Sequence, residues 1–299
     1  MNQYLGFVLK GLAMGAANVI PGVSGGTIAF VTGIYQRLID GLKSFDLGAL
    51  KLLLTGHFKV FVLKTDLYFL LSIFLGVGVS ILSLAKVVEL AFLNYETFTL
   101  AFFFGLIIAS ILGVGRQISV FSSSNIFAIL LGTAIAAGIA FLPPAEPNSS
   151  MLYLILCGAV AICSMILPGL SGSYILLLMG NYILVMKGVS TLNFGILMPI
   201  AIGCIAGLVL FSRLLSYLFN NYADFTISIL TGFVAGSLAI IWPWKVTNYA
   251  ILESGKQKAI GYSWHLPELD GVLAISLGLM LFGFLLVWFM ERMASNKPS

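Results

Sequence analysis

The stretch Asn18–Tyr35, NVIPGVSGGTIAFVTGIY, comes back as MILPGLSGSYILLLMGNY at Met165–Tyr182. At an offset of 147 the copies share Pro21/Pro168, Gly22/Gly169, Ser24/Ser171, Gly25/Gly172, Ile28/Ile175, Gly33/Gly180 and Tyr35/Tyr182. Apolar sequence flanks each copy. A Pro-Gly-x-Ser-Gly turn breaks a helix, because Pro removes a backbone donor and Gly permits positive φ and close approach. In an apolar setting, irregular backbone survives only where protein or a water-filled cavity satisfies it. Each copy therefore predicts an interrupted helix. Its second half starts near Ser24 or Ser171 and presents unpaired N–H groups.

The rest of the chain supplies that apolar setting. Of 299 residues, 60% are hydrophobic and 9% charged, and the mean hydropathy is +1.08. This is the composition of a polytopic membrane protein with no soluble domain of useful size. The net charge of +4 is spread as a topology signal, not as a nucleic-acid footprint. Cys157, Cys163 and Cys204 fall in apolar segments and read as small buried hydrophobes. His57 and His265 lie in loops far apart and suggest no metal site, and no cofactor is implied. Lys10 interrupts the first apolar run, and that run leads into a motif with an internal twin, so it reads as mature structure and not as a signal peptide.

Hydrophobic runs predict Tyr4–Ile20 and Ile28–Leu42 around the first turn, then spans at Leu67–Leu90, Thr97–Val114 and Ile126–Leu142. Between them a short interfacial helix is expected within Asp46–Leu54. In the second half, Leu152–Leu167 and Tyr174–Met186 flank the second turn. At an offset of 127, Gly195–Phe219 matches Leu67–Leu90, and Phe98/Phe225, Thr99/Thr226, Gly105/Gly232 and Ser110/Ser237 continue the match. The last spans, Ile126–Leu142 and Val272–Met290, align at 146 through Ala128/Ala274, Leu131/Leu277 and Gly132/Gly278.

The expected fold is an all-α polytopic membrane protein forming one transmembrane domain. Residues 1–148 make repeat one around the motif 18–35, and 149–299 make repeat two around the motif 165–182. Each repeat holds a broken-helix or re-entrant hairpin plus three spans. Five segments per half is an odd number, so the repeats have inverted topology, as in many secondary transporters. With the N-terminus inside, ten basic residues (Lys10, Arg37, Lys43, Lys51, Lys59, Lys64, Arg116, Arg213, Arg292 and Lys297) lie inside and five (Lys86, Lys187, Lys245, Lys256 and Lys258) outside. That bias places both termini in the cytoplasm. Trp242, Trp244, Trp264 and Trp288 read as interfacial anchors.

In inverted halves the two turns should meet. Helix N-termini carry partial positive charge and unpaired N–H groups, which suits an anion with several acceptor oxygens, phosphate above all. Gly25, Gly26 and Gly172 allow close approach. Ser24, Thr27, Ser171, Ser173 and Tyr174 add hydroxyls, and Asn18 can donate from its amide. The competing reading is that Gly and Ser only permit close helix packing. Lys86 and Arg213 occupy equivalent places and would guard opposite mouths of a pathway, or else simply snorkel to an interface. Glu89, one turn after Lys86, is a partner for it or a candidate for ion coupling.

Through Asn18–Thr27 (NVIPGVSGGT) and Leu167–Tyr174 (LPGLSGSY), and through segment order over nearly the whole chain, the sequence resembles the PopT family of bacterial polyprenyl-phosphate translocases. The resemblance implies a transporter, not an enzyme, in the bacterial cytoplasmic (inner) membrane. It implies that undecaprenyl phosphate is returned from the outer to the inner leaflet for reuse in cell-envelope polymers, with an ion gradient as the driving force. The implied partners are the polyprenyl phosphate lipid and the bilayer. Oligomeric state stays open, a homo-oligomer included. Two other readings compete. An undecaprenyl-diphosphate phosphatase also has inverted Pro-Gly-x-Ser turns, but an Arg follows its Ser. Here Gly25 and Gly172 stand there, and no span carries paired glutamates, so charge stabilisation and nucleophile activation are missing. A channel or exchanger for small anions would show the same facing turns.

Overall fold

The computed structural model of the protein describes residues 3–19, 24–251 and 257–295. Helix α1 (Gln3–Val19) runs to the first turn, and α2 (Gly25–Val31) and α3 (Tyr35–Lys43) follow it. Short α4 (Leu47–Leu54) and α5 (Phe58–Lys64) lead into α6 (Leu67–Gly115) and α7 (Ser123–Ala140). The second half runs α8 (Met151–Ile166), α9 (Gly172–Leu178), α10 (Tyr182–Ser190), α11 (Phe194–Asn221), α12 (Ala223–Gly236), strands β1 (Lys245–Ile251) and β2 (Gln257–Trp264), and α13 (Gly271–Ser295).

Two differences from the sequence reading have local causes. The segments Ile28–Leu42 and Tyr174–Met186 are each two helices, not one. They break at Gly33 (φ +70°) and Gly180 (φ +75°), a conformation that residues with a Cβ avoid. Beyond the break, α10 is turned 118° from α9. The second is an addition to this mostly helical fold: β1 and β2 form an antiparallel hairpin, which the sequence reading did not include, with an irregularity at Asn248/Tyr249. Val246, Thr247, Tyr249, Ile251, Ile260, Tyr262 and Trp264 are β-branched and aromatic residues in a polar stretch, which favours strand over helix. Tryptophans dock the hairpin. The Trp264 indole N–H donates to the Ala239 carbonyl at 2.9 Å, and its ring lies 4.5 Å from that of Phe141. Trp242 donates to the His265 carbonyl at 3.0 Å.

The 49-residue α6 is kinked at Tyr95 (φ −143°, ψ 47°), which separates the two spans expected there. Helix α11 passes into α12 through Tyr222 in nearly the same conformation (φ −141°, ψ 51°). The Thr99 and Thr226 hydroxyls donate to the carbonyls of these tyrosines at 2.9 and 2.8 Å.

Packing recurs as well. Helix α1 lies on the first half of α6, and α8 on α11. Helix α13 lies on the second half of α6, and α7 on α12. Backbones touch through glycine at each crossing. A Cβ on Gly76 would overlap the Val8 carbonyl, and one on Gly203 the Ile155 carbonyl. In the other two pairs, Gly105 abuts the Met280 carbonyl and Gly283 that of Phe102, while Gly232 abuts Ile129 and Gly132 abuts Ile229. Gly132 thus corresponds to Gly283, an offset of 151. The match of Gly132 with Gly278 at 146 is a register error, and a Cβ on Gly278 would meet open space. Apolar spans resemble one another in several registers, and only the contacts choose between them.

One buried cluster joins the halves, with Phe7, Phe30, Tyr35, Phe69, Leu215, Phe219 and Leu230 in contact. The outer faces are equally apolar: Leu82 is 89% exposed and Leu210 69%. Among the described residues, four helices are long and apolar enough to cross a membrane (Asn94–Gly115, Ser123–Ala140, Phe194–Asn221 and Gly271–Phe289), or up to six if each of the two bent pairs is one span. Residues of core type on the outer faces of such helices make this a polytopic membrane protein, with lipid as the solvent on those faces.

Candidate functional site

The two turns are joined directly. The Gly169 N–H, in the second turn, donates to the Thr27 hydroxyl oxygen at 2.8 Å, and Thr27 is fully buried. The first turn also closes the end of α8. A helix leaves its last four carbonyls without partners. Here the Tyr35 hydroxyl donates to the Ile166 carbonyl at 3.0 Å, and Ser24 Oγ lies 3.3 and 3.4 Å from the Met165 and Leu167 carbonyls. Gly26 is required for this approach, since a Cβ there would come within 2.6 Å of the Ile166 carbonyl. Residues 20–23, with Pro21 and Gly22, lie outside the described residues.

The start of α2 differs from the expectation of unpaired N–H groups. Asn18 Oδ1 accepts from the Gly25 N–H at 2.7 Å, and Ser24 Oγ accepts from the Gly26 N–H at 3.1 Å. Asn18 therefore serves as an acceptor at this turn, and the first two donors are taken up internally. Sequence spacing cannot reveal this, because Asn18 and Gly25 are seven residues apart and belong to different helices.

The second turn is built otherwise. Met165 stands where Asn18 stands in the first copy, and its side chain covers Gly172: a Cβ on Gly172 would lie 2.5 Å from Met165 Cγ. Among the described residues, no side chain caps the start of α9. Ser171 Oγ instead lies 2.9 Å from Ser173 Oγ, with Ser171 buried and Ser173 exposed. The Tyr174 hydroxyl reaches the Ala140 carbonyl at the end of α7, at 3.5 Å. The two turns are thus chemically unequal: the first is capped by side chains, and the second is not.

The other expected residues divide. Arg213 is exposed on α11 and makes no hydrogen bond or ion pair with the described residues. Lys86 and Glu89 lie on α6, and their side chains fall outside the described residues. Two residues that sequence reasoning did not place in the site are Tyr35, visible there only as a shared tyrosine, and Lys10, counted as a topology charge. A lone lysine inside an apolar helix is itself a functional signal. Its ammonium donates to the Thr32 carbonyl, at the end of α2, at 2.7 Å. Near the end of α3 a polar link ties the halves again: Lys43 Nζ donates to Ser216 Oγ at 2.9 Å, and Ser216 donates to Asp40 at 2.8 Å.

Interrupted helices that meet inside a polytopic bundle are the architecture of secondary transporters. The chain belongs to the VCA0040-like, undecaprenyl phosphate translocase-like family, which residues 14–258 match. It is 42% identical over 260 residues to the polyprenyl-phosphate transporter of Vibrio cholerae, covering 85% of this chain and 83% of that one. It is 30% identical over 270 residues to the polyprenyl-phosphate transporter of Staphylococcus aureus, covering 81% of this chain and 87% of that one. These relatives are transporters, not enzymes. No solved structure matches the chain.

Proposed function

We propose that the protein carries a polyprenyl phosphate, undecaprenyl phosphate in the first instance, from the outer to the inner leaflet of the bacterial inner membrane. The carrier lipid is then available again for envelope polymer synthesis. The observation that carries this reading is the hydrogen-bonded junction of the two turns through Thr27 and Gly169, in a chain whose relatives are named for transport of this lipid. The matched breaks at Tyr95 and Tyr222 and the recurring glycine contacts support two repeats, 1–148 and 149–299; in this reading the repeats are inverted, and the bias of basic residues favours cytoplasmic termini.

The phosphate is held at the junction. Its first contacts are at the second turn, where Ser171, Gly172 and Ser173 open α9 without a side-chain cap and Tyr174 stands one residue on. Asn18, Ser24, Gly25, Gly26 and Thr27 join when Asn18 and Ser24 exchange their backbone N–H partners for phosphate oxygens. Lys86 and Arg213 attract the headgroup at opposite mouths, and an ion gradient, with Glu89 as a carrier, drives net movement.

Liposomes carrying undecaprenyl phosphate test this. Leaflet distribution is followed with an impermeant phosphate-binding probe, and released phosphate is measured in parallel. The expected result is redistribution without phosphate release, slowed at least tenfold by Ser24→Ala with Ser171→Ala. Normal transport by that double variant would make the turns packing devices. Phosphate release would make the protein an enzyme.

A further inference from the structure

Between α1, α2, the second half of α6 and α13 lies a cleft of about 270 Å³. Its walls are apolar, with Ala13, Ala17, Ile28, Val31, Phe102 and Leu286 among them, and Lys10 is the one charged residue among its described lining. Alanines on α1 make the room. Ala17 and Ile28 adjoin Asn18 and Thr27, so the inner end of the cleft reaches the first turn. Lys10 and Thr32 mark its other end. An apolar cavity of roughly 150 Å³ stays dry and binds benzene. At this volume there is room for about two five-carbon isoprene units. A single ammonium at one end of such a cleft suits an anionic amphiphile and not a neutral lipid or an inorganic anion.

The second half carries the counterpart without the charge. Another apolar cleft is lined by Val160, Ile175, Leu178 and Met179, which match Ala13, Ile28, Val31 and Thr32 at an offset of 147. At its edge the Tyr153 hydroxyl donates to the Met179 carbonyl at 3.0 Å, as Lys10 does to Thr32 in the first half. The same carbonyl at the end of the motif helix is thus capped by a neutral phenol in one half and by an ammonium in the other. A helix C-terminus needs only a donor, so capping alone does not explain the lysine.

We propose that the α1–α2–α6–α13 cleft binds the headgroup-proximal end of an anionic isoprenoid lipid. The phosphate sits on the Lys10 ammonium, and the first isoprene units lie between α2 and Phe102. An ammonium has three donors, so phosphate oxygens would compete for it with the partners it already holds, the Thr32 carbonyl among them. This deepens the transport reading and rests on it for the identity of the lipid. The cleft becomes a station separate from the junction of the turns, on the side where α1 begins.

The test uses the full chain in liposomes and farnesyl phosphate bearing a diazirine on its second isoprene unit. Labelled peptides are mapped by mass spectrometry, and undecaprenyl phosphate redistribution is measured in the same vesicles. Adducts are expected on Phe102, Phe103, Leu106 or Leu286, in excess over adducts on Ile175 or Leu178. Lys10→Gln should weaken farnesyl phosphate binding about tenfold or more, as expected for a lost charge-assisted hydrogen bond, with farnesol binding unchanged. Lys10→Arg should restore it, and Ala13→Phe should block labelling. Adducts confined to the second cleft or the outer faces, or unchanged affinity in Lys10→Gln, would overturn the proposal even where wild-type transport is intact. Labelling of the cleft without any lipid redistribution would support the binding site and overturn the transport reading. Wild-type labelling decides the matter if a variant fails to fold.

Discussion

At the scale of single residues, the junction is an exchange of partners between two helix ends. The carbonyls that α8 cannot use are approached by hydroxyls of Ser24 and Tyr35, and the N–H of Gly169 is received by Thr27. Away from water, an unmade hydrogen bond costs the full desolvation of the group left behind, about 1–3 kcal/mol. Thr27→Val keeps the shape and removes the acceptor, leaving the Gly169 N–H unpaired. It should destabilise the protein by about that amount, seen as a lower thermal midpoint in detergent. Thr27→Ser should keep most of the stability. Equal midpoints for the two variants would mean that the bond contributes nothing. The serines and Thr27 were legible as a hydroxyl cluster in the sequence. That Thr27 faces the other turn was not, because its partner is 142 residues away.

At the scale of elements, close backbone contact sets helix register. A side chain on a glycine that abuts a carbonyl cannot be absorbed by a rotamer change, so the helices must move apart. Gly283→Ala and Gly105→Ala should each cost about 1–3 kcal/mol, while Gly278→Ala, facing open space, should cost little. Unfolding midpoints of the three variants check the 151 offset, and a sensitive Gly278 with a tolerant Gly283 would restore the 146 one. The hairpin gives a pH signature. Burial holds the Lys245 amine down to about 8, with Glu96 opposing the shift, and the ammonium donates to the Ile240 carbonyl. An unfolded lysine titrates near 10.4. Between these values the unfolded chain binds more protons, so this group makes stability rise as pH goes from about 8 to roughly 10.4 and leaves it flat below 8. Lys245→Met should remove that rise when unfolding midpoints are compared across the range. An identical pH profile in the variant would show that the amine titrates normally.

At the scale of the molecule, the halves are alike in backbone and unlike in chemistry. The breaks at Gly33 and Gly180, the kinks at Tyr95 and Tyr222 and the glycine crossings recur. Three side chains at the working positions do not: Asn18 against Met165, Thr27 against Tyr174, Lys10 against Cys157. In the transport reading proposed above the gradient sets the direction, and these three differences would make the two access routes bind the anion unequally. A further check is to swap the pair, Asn18→Met with Met165→Asn. Turnover is expected to fall at least tenfold in the liposome assay. Unchanged turnover would mean that the capping of the turns is irrelevant to transport.

The sequence by itself determined the membrane class, the two turns, most segment boundaries and the first two offsets. Each of these is a local property: apolar length, helix-breaking chemistry, or an identity between copies. Tertiary structure decided that the first turn is capped by Asn18 and Ser24, that the turns interlock through Thr27 and Gly169, that Gly283 and not Gly278 matches Gly132, and that Lys10 edges an apolar cleft. These are relations between residues far apart in the chain. Hydropathy is nearly uniform along such a sequence, so it marks the long apolar segments but not where they break or which faces meet. That is settled by the few places where a missing Cβ or an orphan carbonyl allows only one neighbour.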